Sequence, residues 1–211
     1  VIPANGTVTA LQKTSLFSEV EGIFRSSSKP FRPGQEYSRG QVLLRIDAAE
    51  YAANVRAAKS ELYNKIAAVM PDLRLDYPDV YPKWEAYLNS FDVNKNLAQL
   101  PESSSDQENY FISGRGIVSG YYNIKNQETR LNKFTIVAPY NGVLTEAIVT
   151  EGSLVRPGQK LGEFIDPSEY ELEVAVRKSF SDLLQVGEKV ALKNLEGTQL
   201  FQGEVIRVNS K

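Results

Sequence analysis

The fold is decided by two stretches, GQEYSRGQVLLRID at residues 34–47 and GSLVRPGQKLGEFID at residues 152–166. Each carries two glycines six positions apart, a Gln after the second, an apolar run, and Ile-Asp at its end. Their lengths differ by one residue. Upstream of them, Gly22-Ile23-Phe24 matches Gly142-Val143-Leu144, a glycine opening a short strand in each case. The chain is therefore an internal repeat covering roughly residues 16–47 and 136–166, and a repeat of that size is one half of a fold. Neither half has enough strands to bury its Val/Ile/Leu face alone, so strands of the two halves are expected to pair with each other. Gly34, Gly40, Gly152 and Gly158 fall where turns must reverse the chain, and Pro157 pre-sets the backbone before Gly158.

Working outward, the glycines divide the chain. Of 14, only Gly114, Gly116 and Gly120 lie between residues 48 and 134. The flanks alternate short apolar runs with turn residues, as in Val42–Ile46, Ala147–Val149 and Leu172–Val176, the pattern of short strands. The middle is helical. Asp47 with Glu50 forms a capping-box pattern, and Tyr51, Val55, Ala58, Leu62, Ile66 and Val69 recur at helical spacing until Pro71. This predicts a helix of about six turns. A second box, Ser105 with Glu108, opens a stretch in which Ile117, Tyr121, Ile124 and Leu131 repeat, predicting a long return helix that ends before Pro139. Trp84, Tyr87, Leu88 and Phe91 predict a shorter helix between Pro82 and the loop at residues 101–105. The two long stripes are expected to pack antiparallel. This places residues 77–104, farthest in sequence from both anchors, at the distal end as an exposed docking surface. Beyond Asp166, strands are expected over Leu172–Val176, Val190–Leu192 and Gly203–Val208, with a helical turn at Phe180–Leu184 and a chain reversal at Glu196-Gly197.

Composition removes most chemistry. The 211 residues are 42% hydrophobic and 24% charged, ordinary for a chain that buries a core, and contain no Cys and no His. Disulfides, thiol nucleophiles, Cys/His metal sites and every His-dependent dyad or triad are excluded. A net charge of −2 supplies no electrostatic attraction to nucleic acid. No catalytic, cofactor-binding or metal-ligating residue is assigned, and no cofactor is expected. GRGIVSG at residues 114–120 follows no strand and lacks dinucleotide-loop spacing, so its glycines point to close helix packing or a bend. Asp72, Asp76 and Asp79 lack the turn glycine of a calcium loop and are expected in a solvated loop. Trp84, Tyr87 and Phe91 are expected as a packed face.

A family resemblance emerges from these residues. Val20-Glu21-Gly22, Gly40-Gln41 through Asp47, APYNGV at residues 138–143 and VRPGQ at residues 155–159 resemble the lipoyl/biotinyl fold split by an insertion, as in the periplasmic adaptor or membrane fusion proteins (HlyD-like, RND-type). The resemblance implies a mainly β chain with an α-helical insertion. Residues 1–47 plus 135–167 would form a barrel-sandwich hybrid, 48–134 a short helical hairpin, and 168–211 part of a β-barrel domain, with the membrane-proximal domain absent. It implies a non-enzymatic adaptor in the periplasm linking an inner-membrane transporter to an outer-membrane channel, self-associated into a ring, expected as a hexamer. Since position 1 is Val, the chain is expected to be a fragment whose only membrane contact is an N-terminal anchor that has been cut away. The alternative is a biotinyl/lipoyl carrier domain, which requires a lysine at an exposed turn between the halves. Lys83 and Lys95 lie instead in the long insertion.

Overall fold

A computed structural model of the chain describes residues 5–25, 27–177, 180, 184–193, 198 and 200–209. These divide into two compact units, residues 13–166 and residues 1–12 with 167–211.

In the larger unit, eight strands form two four-stranded sheets. They are β2 (Lys13–Phe17), β3 (Gly22–Arg25), β4 (Glu36–Tyr37), β5 (Val42–Ile46), β6 (Thr135–Val137), β7 (Gly142–Ala147), β8 (Leu154–Val155) and β9 (Lys160–Ile165). One sheet has the order β2-β9-β7-β4 and the other β6-β5-β3-β8. Each sheet therefore takes two strands from each repeat. Replacing each strand by its repeat partner turns the first order into the second, so the halves are related by a pseudo-two-fold and interlock as expected.

The turn glycines make the interlocking reciprocal. Gly40 N–H donates to the Ala138 carbonyl at 2.8 Å, and its counterpart Gly158 donates to Ser18 at 2.8 Å. Gly34 donates to Leu144 at 2.8 Å, and Gly152 to Phe24 at 2.9 Å. All four glycines have φ between +79° and +86°, a region that penalises any side chain. The glutamines shared by both motifs act alike. Gln41 Oε1 accepts from Ser38 N–H at 3.1 Å and Gln159 Oε1 from Arg156 N–H at 3.0 Å, each closing its own turn. Between the sheets lies a core from both repeats, with Leu43, Leu44, Leu144, Val155, Leu161 and Phe164 fully buried.

The insertion contains four helices, α1 (Ala49–Asp76), α2 (Tyr81–Asn89), α3 (Asp106–Gly114) and α4 (Ile117–Asn132). Several boundaries differ from expectation. Asp47 does not cap α1 through a box with Glu50: the N-cap is Ala48, and Asp47 Oδ1 accepts from Ala49 N–H at 3.1 Å. The first helix does not stop at Pro71 but passes through it, because Val69 and Leu73 on either side are buried and continue its apolar stripe. At 28 residues it spans about 42 Å. The return helix is broken in two at Gly116, whose φ is +70°. It ends at Asn132 and β6 intervenes before Pro139, so that proline does not terminate it. Only Ala147 of the Ala147–Val149 run belongs to a strand.

In the smaller unit, β1 (Asn5–Ala10) pairs antiparallel with β10 (Tyr170–Ala175), and β11 (Lys189–Lys193) with β12 (Leu200–Glu204). The strand β1, expected in the sandwich, instead finds its partner β10 in the second unit. The strand expected over Gly203–Val208 begins earlier, at Leu200, since the ladder with β11 runs from Lys193↔Leu200 to Lys189↔Glu204. The middle of the helical turn expected at Phe180–Leu184 and the reversal at Glu196-Gly197 lie outside the described residues.

The β5 and β6 ends that flank the insertion are themselves paired, with Arg45 opposite Thr135 and Ile46 N–H donating to the Phe134 carbonyl at 2.7 Å. Replacing residues 48–132 by Asn-Gly should close this pair as a two-residue hairpin. The variant is expected to unfold in one cooperative thermal transition with a β-type circular dichroism spectrum; a broad, non-cooperative melt would mean that the halves need the helices to fold.

Candidate functional site

The helical insertion is where this chain departs from a plain sandwich. Its root is fixed by aromatic packing: Tyr51 in the first turns of α1 stacks on Phe134 just after α4, with ring centroids 5.4 Å apart. Tyr51 and Leu131 both pack on the sandwich core, and the Arg130 guanidinium lies 5.4 Å from the Tyr51 ring. Above the root, α1 and α4 pack antiparallel through the expected stripes, burying Leu62, Ile66, Tyr121 and Ile124. A Cβ on Gly120 would sit 3.3 Å from Leu62 Cδ1, so this glycine allows the close approach of the two helices. Of the GRGIVSG glycines, Gly116 makes the bend and Gly120 the close contact.

Of the docking surface expected at residues 77–104, only the turn that follows α1 lies at the far end. After the turn at residues 77–80, α2 runs back along the helix pair, burying Trp84 and Tyr87 and bringing Phe91 to Tyr63 with centroids 5.6 Å apart. The following segment reaches the lower part of the hairpin at Leu97 and then climbs again. Tyr87 donates to the Ala98 carbonyl at 3.2 Å and Lys83 to the Glu102 carbonyl at 2.6 Å. The physical reason is apolar: Trp84, Tyr87 and Leu97 complete the hydrophobic cluster of a hairpin whose two helices cannot cover it alone. The far end consists of the last turns of α1 and the α3–α4 break. There Arg115 pairs with Asp72 at 2.9 Å and Tyr77 meets Phe111 at a centroid distance of 5.4 Å. Asp72 and Asp76 are thus helical, not in a solvated loop, and Asp79 is in the turn. Leu75 is 81% exposed and Tyr110 73% exposed near this end.

Two buried carboxylates hold the returning segment. Glu128 of α4 pairs with Lys59 of α1 at 2.6 Å, each side chain below 8% exposed, and accepts from Leu97 N–H at 2.7 Å. Lys59 Nζ also donates to the Lys95 carbonyl at 2.7 Å, and Lys125 Nζ to the Leu97 carbonyl at 2.6 Å. Glu108 of α3 is fully buried. It accepts from Trp84 Nε1 at 2.9 Å, Ser104 N–H at 2.7 Å and Lys83 Nζ at 2.9 Å, while its own N–H donates to Ser105 Oγ. Only half of the expected Ser105/Glu108 box forms, because the carboxylate is drawn to these donors. Burial pushes both carboxyls up, and the donors outweigh it: Lys83, Ser104 and Trp84 hold Glu108, and Lys59, Leu97 and Lys125 hold Glu128, below the ordinary glutamate value. Burial also raises the Tyr87 hydroxyl, assisted by Tyr121 and Glu128.

Each carboxylate ties the returning segment to the helices through these bonds. Among the described residues no group of His, Cys, Asp or Glu is arranged to hold a metal ion. Lys83 is engaged in the Glu108 cluster and Lys95 lies in the loop after α2, so neither sits in a turn joining two strands as a carrier lysine must. The Lys59–Glu128 pair was not among the residues singled out from the sequence. Its signal was present: Lys59 falls on the α1 stripe between Val55 and Leu62, and Glu128 on the α4 stripe between Ile124 and Leu131, opposite charges at core positions of facing helices.

Two interlocked half-motifs, with a helical hairpin inserted between paired strands, define a barrel-sandwich hybrid of the membrane fusion class. The family description "RND MFP, barrel-sandwich hybrid domain" matches residues 12–162, and the chain belongs to that family, the membrane fusion or adaptor proteins of efflux systems. The multidrug export protein AcrE of Escherichia coli (strain K12) is 25% identical over 197 residues, covering 90% of this chain and 46% of AcrE. The chain thus spans about half the length of this curated relative. Its fold is shared by a MacA–MexA chimera carrying the Pseudomonas aeruginosa MexA α-hairpin domain (TM-score 0.70, 16% identity, 96% of this chain and 66% of the other). It is also shared by the membrane fusion protein Spr0693 of Streptococcus pneumoniae R6 (TM-score 0.65, 14% identity, 100% and 84%). No described helix is long and apolar enough to cross a membrane.

Removing one partner of a buried ion pair strands the other. Glu128→Ala is expected to cost about 3–5 kcal/mol in urea unfolding, against about 0.3–0.5 kcal/mol for Glu61→Ala, which breaks only the exposed i,i+4 pair with Lys65. Because Glu108 and Glu128 titrate below the ordinary 4.5, their stabilisation is complete above that pH and is lost as pH falls through it and below. Acid unfolding of Glu108→Gln, followed by Trp84 fluorescence, should have a shallower pH dependence in that window; an unchanged profile would show that Glu108 is not a linked group.

Proposed function

We propose that this chain is the sandwich and hairpin portion of a periplasmic adaptor that links an inner-membrane transporter to an outer-membrane channel in a tripartite efflux assembly. Its role is structural and it catalyses no reaction. The observation that carries this reading is the α1–α4 hairpin, about 42 Å long, which leaves the sandwich between two paired strands and is stiffened by its own polar clamps. An element of that length, rooted at both ends in a rigid core, transmits position from one partner to another. Copies associate into a ring, as a hexamer, through the sandwich and the strands of the smaller unit, which we read as part of a β-barrel domain. The adaptor works at the periplasmic face of the inner membrane.

In this reading the channel-facing surface is the far end of the hairpin, residues 72–81 with 110–119, rather than residues 77–104 as a whole. Leu75 and Tyr110 are exposed there without a role in the hairpin core. The test uses a deletion strain of the native host complemented by variants. Loss of the gene is expected to raise sensitivity to exported compounds, and the wild type to restore resistance. Leu75→Asp with Tyr110→Asp should fail to restore it while accumulating to the wild-type level, whereas Lys95→Glu, in the folded-back loop, should restore it. Resistance unaffected by the deletion would end the efflux reading, and full complementation by the double variant would end the assignment of the docking end.

A further inference from the structure

At the root of the hairpin, three strands of one sheet place Arg25, Arg45 and Thr135 side by side, since Arg25 pairs with Arg45 and Arg45 with Thr135 in the ladder. Like charges directly opposite each other in an antiparallel pair are unfavourable. One is answered. Asp47 Oδ2 accepts from Arg25 Nη2 at 2.9 Å and from Arg25 Nε at 3.2 Å, and its other oxygen is taken by Ala49 N–H. Those donors hold the Asp47 carboxyl below the usual carboxylate range, the Ala49 N–H first and Arg25 next. Arg45 has no such partner among the described residues. Beside it opens a concavity of about 400 Å³, lined by both arginines and Thr135, with Asn132 and Leu131 of α4 and Phe134 as its helical and apolar walls. That volume lies within the range of small-molecule sites, about 300–1,000 Å³.

We infer that this concavity binds a small amphiphilic oxyanion, its carboxylate or phosphate head on the Arg45 guanidinium beside Arg25 and its apolar body against Leu131 and Phe134. The chemistry follows from the lining. An unpaired guanidinium presents a fork of donors matched to an oxyanion, while the charge of Arg25 is already met by Asp47. Apolar walls reject a fully hydrated ion and favour a ligand with a short hydrocarbon part. Because the walls come from both the sheet and the last turn of α4, an occupant bridges sandwich and hairpin and stiffens their junction. The inference rests on this geometry and stands apart from the adaptor reading.

The test is a ¹⁵N NMR titration of the intact chain with octanoate and octyl phosphate, with acetate and octylammonium as controls. Saturable shifts are expected at the amides of Arg25, Arg45, Asn132 and Thr135 with both amphiphilic anions, with acetate at least about tenfold weaker and octylammonium inert. Arg45→Gln should weaken octanoate at least about tenfold with the rest of the spectrum unchanged, and octanoate should slow hydrogen exchange in the last turn of α4 in the wild type only. Equal binding of octylammonium would reduce the site to an apolar patch and overturn the proposal. So would octanoate binding that survives Arg45→Gln, or the absence of any saturable shift. Arg45-dependent binding to phosphatidylglycerol vesicles with octanoate inert would likewise overturn it, by making the ligand a membrane surface.

Discussion

The structure depends on the reciprocal exchange of strands between two repeats. Because each sheet is built from both halves, no strand face of residues 13–47 is covered until residues 135–166 arrive, and the converse holds. The turn bonds enforce the same dependence at the level of single amides. Gly40 and Gly34 donate to the second half, Gly158 and Gly152 to the first, and Ala138 N–H and Ser18 N–H return the favour to Gln41 and Gln159 at 2.9 Å and 3.0 Å. Bringing the two halves together closes a loop of more than eighty residues, which carries an entropic cost. That cost grows only as the logarithm of loop length. The fold can therefore carry a large insertion without losing its core.

The insertion in turn needs its own core. Its root contributes Tyr51, Leu131 and Phe134 to the sandwich cluster, while everything from Leu62 outward belongs to a separate cluster. Between the two sits the Lys59–Glu128 pair, buried where apolar residues would pack as well or better. Its value is directional. A Leu–Leu contact would tolerate several placements of the returning segment, whereas Glu128 accepts from Leu97 N–H and Lys59 donates to the Lys95 carbonyl, which admits one register of that segment against the helices.

Much of this was legible in the sequence, because the determining signals are local and repeated. Paired Gly-x5-Gly-Gln motifs with a common Ile-Asp ending specify two equivalent turns and strands, and equivalence of turns under a shared core implies interlocking. The helices too were legible as stripes. What was misread are places where tertiary burial overrides a local breaker or cap. Pro71 is tolerated because Leu73 is buried beyond it, and Asp47 is drawn away from a capping box by Arg25. The site was less legible than the fold. Sequence distance from both anchors suggested that residues 77–104 form the tip, but distance along a chain fixes position only when the chain is extended. The apolar residues Trp84, Tyr87 and Leu97 already argued that it is not.

The hairpin stripe is interrupted on both helices by a charge, Lys59 and Glu128, at the level where the third layer touches it, and is otherwise apolar up to Leu73 and Ile117. In an isolated helix pair the two charges would meet only each other. The third segment supplies the further backbone donor and acceptor that they bond, so the two charges and the folded-back segment form one hydrogen-bonded unit. The polar clamp of this hairpin therefore lies between the helix pair and its third layer, not within the α1–α4 seam alone.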